Sequence, residues 1–160
     1  MEMRSDCIAV MKSDAAPNSE TSAPIIAPCI LEQYSELSVM QQKVVGHVNG
    51  PLLVVAGPGA GKTACIVLRA LNLLLLGEAT PRNLVLCTYT EKAAYEMRDR
   101  LSTSARALGY EYDLSELRVS TIHGLCNSIL QQHRHRTPLG HGYEVLDELT
   151  QLLFIFDNFD

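Results

Sequence analysis

Residues Ala56-Gly57-Pro58-Gly59-Ala60-Gly61-Lys62-Thr63 constrain the fold of this chain more than any other stretch. They follow the apolar run Leu52-Leu53-Val54-Val55 and precede a long helical pattern that begins near Ala64. Strand, glycine-rich turn and helix in that order are the context of a phosphate-binding P-loop. A triphosphate needs many converging donors, and backbone N–H groups at a helix start supply them. Gly57, Gly59 and Gly61 let the backbone turn tightly and approach an anion because they have no Cβ, and Pro58 stiffens the turn by fixing φ. Lys62 is placed to reach the β- and γ-phosphates, and the Thr63 hydroxyl to hold Mg²⁺. The usual pattern opens with Gly; here Ala56 stands at that position. The expectation is a nucleoside triphosphate site spanning residues 56–63.

The 160 residues give room for one domain of ordinary size, and an apolar fraction of 47% can build its core. A formal net charge of -5 argues against a nucleic-acid binder that uses its whole surface. The charge is uneven: residues 82–136 hold eight Lys/Arg and six Asp/Glu, whereas 144–160 holds five acids and no base. The middle of the chain therefore retains the means to present a basic groove. Among Cys7, Cys29, Cys65, Cys87 and Cys126 no two form a CxxC pair. Cys65, Cys87 and Cys126 fall in apolar patterns and read as buried thiols, which suits a reducing cytoplasm, or a nucleus in a eukaryote. The start, Met-Glu-Met-Arg, lacks the apolar run of a signal peptide. Ile66–Leu76 is too short to span a membrane and is interrupted by Arg69 and Asn72.

Residues 1–34 read as a flexible arm, because Pro17, Pro24 and Pro28 punctuate a Ser/Ala/Asn-rich stretch without periodicity. Order is expected from about Ser35, with Ser38-Val39-Met40-Gln41 as a capping box. Beyond it the pattern predicts a strand at 52–56, a helix at 62–76 stopped by Gly77, and a strand at 84–88. A helix at 91–107, a strand at 117–121, a helix at 123–133, a short strand at 143–146 and a helix from Asp147 complete the reading. Strand–helix alternation with near-continuous apolar strands implies an α/β fold, a parallel sheet covered by helices. Leu152-Leu153-Phe154-Ile155-Phe156 is strongly apolar close to the chain's end, a pattern that expects a covering partner and suggests a truncated chain.

Four segments, in order, resemble the N-terminal part of superfamily 1 DNA helicases of the UvrD/Rep type. They are Leu37-Ser38-Val39-Met40-Gln41-Gln42, the P-loop, Thr88-Tyr89-Thr90-Glu91-Lys92-Ala93-Ala94-Tyr95-Glu96-Met97, and Ser120-Thr121-Ile122-His123-Gly124-Leu125. The resemblance covers residues 35–160 and implies a P-loop NTPase domain of RecA-like fold, here incomplete. It implies ATP and Mg²⁺ as cofactors and gives Gln41 the adenine contact, a role that competes with its place in the Ser38 capping box. It implies contact with single-stranded DNA through Thr88, Tyr89, Thr90 and Lys92 in the third segment and Thr121 and His123 in the fourth. Glu91 departs from the Asn usual in the family, and Tyr89 replaces a Phe. The acidic Mg²⁺ motif, the water-positioning group, the phosphate-stabilising arginines and the second motor domain lie downstream in such helicases and are not found in this sequence. The implied parent is an ATP-driven helicase that translocates on single-stranded DNA, usually 3′ to 5′, with no membrane association. The chain by itself is expected to be inactive and to need the remainder of the motor.

Two other features invite functional readings and are assigned plainer ones. His133-Arg134-His135-Arg136 with His141 lacks the acid or Cys of a zinc set and reads as a basic helix end. Asp147-Glu148 follows too short a strand to be the acidic helicase motif, and Asp147 reads as an N-cap. The alternatives to a helicase segment are a non-catalytic nucleotide- or DNA-binding module, and a P-loop switch or kinase unrelated to DNA.

Overall fold

The computed structural model describes the backbone of residues 9–12, then residues 24–138, 143, 145–146 and 148–158. The chain divides into two units, residues 1–125 and 126–160.

The first unit is built around the helix that follows the P-loop. That helix, α3 (Lys62–Leu75), is preceded by β1 (Ala9–Lys12), α1 (Pro28–Gln33) and α2 (Val39–Val45). It buries Cys65 and every residue from Val67 to Leu74, so it is enclosed on all sides. Its end matches the sequence signal. Gly77 takes φ 72°, and the Gly77 and Glu78 N–H groups close on the carbonyls of Leu74 and Leu73 at 3.1 and 2.9 Å, a Schellman cap. After a 3-10 turn come β2 (Leu84–Thr88), α4 (Glu91–Ala107) and β3 (Arg118–Thr121). Gly109, at φ 67°, ends α4 with the same cap geometry. Core side chains come from Ile30, Val45, Leu71, Leu73, Leu84, Leu86 and Met97, all fully buried.

The sheet has the order β1-β2-β3. Strands β2 and β3 run parallel, as the alternation implied, with Val85 opposite Arg118 and Thr88 opposite Thr121. Strand β1 runs antiparallel to β2, from Ala9 opposite Cys87 to Lys12 opposite Leu84. The described sheet is therefore mixed, within an α/β arrangement.

Several expectations require correction. The strand at 52–56 does not form: these residues have no ladder partner among the described residues. Leu53 and Val55 are 89% and 91% exposed. Apolar β-branched composition reports a tendency to be buried, while a strand exists only through its neighbour's hydrogen bonds. Second, structure begins before Ser35. Pro28 occupies the first turn of α1, where a missing N–H costs nothing. Ala27 and Ile30 are buried in the core, and the Ile25 N–H reaches the Gly46 carbonyl at 3.1 Å. Pro28, which looks like punctuation in the sequence, here opens a helix. Third, Cys126 is exposed, whereas Cys65 is buried and Cys87 is half-buried.

The second unit receives the C-terminal part of α5 (Ile122–Gln132), which begins in the first unit. The basic run forms a 3-10 turn, Arg134–Arg136, just past the helix end. Tyr143, Val145 and Leu146 are irregular rather than a strand, and Glu144 lies outside the described residues. The Tyr143 hydroxyl donates to Asn127 Oδ1 at 2.8 Å. Helix α6 (Glu148–Asn158) follows; Leu152 through Phe156 are all exposed. Asp147, the expected N-cap, and His141 lie outside the described residues.

Candidate functional site

The P-loop takes its turn without a strand behind it. Gly59 and Gly61 adopt φ 76° and 77°, the left-handed region where a Cβ is strained. The Ala60 N–H closes on the Gly57 carbonyl at 3.4 Å. Gly61 is the N-cap of α3, and its carbonyl receives the Cys65 N–H at 2.9 Å. With no side chain capping that end, the helix keeps N–H groups available to an anion. Lys62 folds back over the loop, its Nζ donating to the carbonyls of Gly57 at 2.9 Å and Ala56 at 3.3 Å. Its ammonium thus sits at the loop's own mouth. Thr63, partly buried, stands one residue further into α3. Burial pushes the Cys65 thiol up from its ordinary value, so this neighbour of the loop stays neutral and unreactive.

Gln41 reaches the loop from α2. Its Oε1 accepts the Ser38 N–H at 2.8 Å, and its own N–H donates to Ser38 Oγ at 3.3 Å, so the capping box is complete. Its Nε2 donates to the Ala60 carbonyl at 3.3 Å. A side-chain amide offers two donors and two acceptor lone pairs. After these contacts Gln41 retains one donor and one lone pair, the complement an adenine edge requires. Capping and base recognition therefore do not exhaust each other.

The third and fourth motifs meet where β2 and β3 end side by side, Thr88 beside Thr121. The crevice beyond the carboxyl ends of parallel strands is where ligands bind in α/β sheets. Here the Thr88 and Thr121 hydroxyls donate internally, whereas the Thr90 hydroxyl only accepts. Thr88, buried, donates to the Thr90 carbonyl at 2.9 Å, and Thr90 Oγ1 caps α4 by accepting the Ala93 N–H at 3.2 Å. Thr121, also buried, donates to Glu91 Oε1 and accepts the Gly124 N–H, both at 3.0 Å. Arg98 Nη2 adds a bond to the Val119 carbonyl at 2.7 Å. Tyr89, Thr90, Lys92 and His123 are the exposed members of the set, Tyr89 at 56%. Glu91 does not stand as an isolated carboxylate, because it holds the end of β3. Tyr95 is a further exposed ring, one helical turn beyond Lys92; its only signal in the sequence is the i, i+3 spacing.

Residues 37–160 match the UvrD/REP helicase N-terminal domain family. The chain belongs to that family. Among curated relatives, the ATP-dependent DNA helicase SRS2 of Saccharomyces cerevisiae is 38% identical over 120 residues, 74% of this chain and 10% of that protein. The ATP-dependent DNA helicase PcrA of Bacillus subtilis is 35% identical over 121 residues, 76% of this chain and 16% of that protein. The ATP-dependent DNA helicase Rep of Buchnera aphidicola is 34% identical over 119 residues, 74% of this chain and 18% of that protein. The chain thus spans between a tenth and a fifth of these relatives' length. All four motif segments of the sequence reading fall inside the UvrD/REP match. No helix among the described residues is long and apolar enough to cross a membrane.

Proposed function

We propose that this chain is the N-terminal ATP-binding portion of an ATP-dependent DNA helicase that translocates on single-stranded DNA and unwinds duplex, in the 3′-to-5′ direction, during DNA repair, replication or recombination. The observation that carries the reading is Gln41 on the Ala60 carbonyl, which brings the glutamine motif and the P-loop into one site. The loop's glycines, its open helix end and Lys62 suit a triphosphate; Thr63 would hold Mg²⁺, and the free donor and lone pair of Gln41 suit adenine. The bound nucleotide supplies the free energy of phosphoanhydride hydrolysis, and these residues bind and orient it. The domain is read as an incomplete RecA-like P-loop fold spanning residues 35–160, whose acidic motif and second motor domain belong to the remainder of the helicase. Single-stranded DNA would run over the ends of β2 and β3, with Tyr89 stacking on a base, Lys92 neutralising a phosphate and His123 adding a polar contact. Thr88 and Thr121 then shape that surface, while the exposed Thr90, whose Oγ1 accepts the Ala93 N–H, would donate its O–H to a phosphate. The working compartment is the cytoplasm, or the nucleus of a eukaryote.

Titration calorimetry with ATP and Mg²⁺ tests the reading. The chain is expected to bind ATP and Lys62→Ala to abolish binding; equal affinity for both would show that the P-loop is not the site. The chain alone should show no DNA-stimulated ATP hydrolysis, whereas measurable turnover would sink the claim that its catalytic groups lie elsewhere.

A further inference from the structure

The orientation of the Ala60–Gly61 peptide decides whether one P-loop N–H faces an anion or turns from it. A trans peptide places its C=O and N–H on opposite sides. Gln41 Nε2 stands on the carbonyl side, 3.3 Å from the Ala60 oxygen, so the Gly61 N–H points away from Gln41. The same nitrogen lies 3.0 Å from where a Cβ on Gly61 would be, so it closes that side of the loop. Glycine at position 61 would otherwise leave this peptide free to flip, since it tolerates φ of either sign. The amide of Gln41 is itself fixed, because Oε1 is committed to the Ser38 N–H at 2.8 Å. A rigid donor thus holds a carbonyl belonging to the most permissive part of the loop.

We propose that Gln41 is a positioning residue for the P-loop: by holding the Ala60 carbonyl it keeps the Gly61 N–H turned toward the bound phosphates, whatever it does to the base. The inference rests on the nucleotide reading above and deepens it. A residue that touches only the base is invisible to a ligand that has none. A residue that orients the loop is felt by the phosphates alone.

The test compares ATP with inorganic tripolyphosphate, each with Mg²⁺, by calorimetry on the 160-residue chain. Gln41→Met removes the donor at similar side-chain length. Ser38→Ala removes the hydroxyl half of the capping box but leaves the Gln41–Ala60 bond. Gln41→Met is expected to weaken tripolyphosphate by about fivefold, the scale of one ordinary hydrogen bond. Ser38→Ala should lower the melting temperature yet leave tripolyphosphate affinity within about twofold, because it costs a helix cap rather than a loop contact. If Gln41→Met weakens ATP but not tripolyphosphate, Gln41 serves the base alone and the proposal is overturned. Equal losses in Gln41→Met and Ser38→Ala overturn it too, since the cause would then be the stability of α2. An unaltered chain that binds neither ligand refutes the nucleotide reading itself, and the positioning role with it.

Discussion

Two polar residues interrupt the apolar face of α3, and they behave in opposite ways. Asn72 is fully buried and fully used. Its Oδ1 accepts the Ala27 N–H at 2.8 Å, and its Nδ2 donates to the carbonyls of Ile25 at 2.8 Å and Val45 at 3.2 Å. One amide thus ties the segment before α1 and the end of α2 to the central helix. Arg69 is 8% exposed, its Nε has no hydrogen-bond partner among the described residues, and burial holds its pKa below the ordinary value. An unsatisfied buried group costs about 1–3 kcal/mol, and more when charged. Asn72→Ala orphans one N–H and two carbonyls and should cost roughly 3 kcal/mol or more in urea unfolding. Arg69→Met keeps volume and removes the desolvated cation, so it should be neutral or stabilising, by up to about 2 kcal/mol. Equal destabilisation by the two substitutions would mean that Arg69 is compensated. Sequence shows both residues as breaks in a pattern; which break is satisfied depends on carbonyls 27 to 47 positions away.

At the scale of elements, helix ends were the most legible part of this fold. The Ser38 capping box, the Thr90 cap and the glycines at 77 and 109 are local devices, and each is used at the position its spacing indicates. The strand at 84–88 was legible too, because its run Leu-Val-Leu-Cys is apolar throughout and every residue of it is buried or half-buried. What could not be read was pairing. The antiparallel β1 and the Thr121–Glu91 bond join residues 30 or more apart in sequence, and no local pattern encodes such partners. The candidate site divides in the same way: the P-loop residues announce themselves, whereas the duty of Glu91 does not. Viewed alone, Glu91 looks like a repulsive charge on a DNA surface; in place, it fixes β3 against α4. Thr121→Val should therefore leave the Glu91 carboxylate and the Gly124 N–H without this partner. A loss of about 1–2 kcal/mol in stability is expected. Glu91→Gln keeps an acceptor and should cost less than half of that; comparable losses would show that the Thr121 hydroxyl acts through another contact.

Across the whole molecule, an exposed apolar run leads directly into the P-loop. Leu52 to Val55 have the composition of a buried strand, yet no strand lies beside them among the described residues, and their side chains face solvent. The loop itself holds its shape without a ladder, through positive-φ glycines, the fold-back of Lys62 and the contact from Gln41 on α2. Loop geometry and strand formation are therefore separable in this chain. Hydrogen exchange should make that separation visible. Amides of 52–55 are expected to exchange at close to the rates of an unstructured peptide, while those of 84–88 and 118–121, held in the ladder, are protected by the stability of the first unit. The substitutions Leu53→Lys and Val55→Lys, made together, should raise solubility, because exposed apolar runs promote association. They should leave the melting temperature within about 2 °C, since exposed surface positions contribute little to folding. ATP affinity should also hold, as the loop needs no ladder behind it to keep its turn. Protection at 52–55 comparable with 84–88, or a melting point lowered by the double lysine variant, would show that these residues are paired in solution and that the loop is held from behind after all.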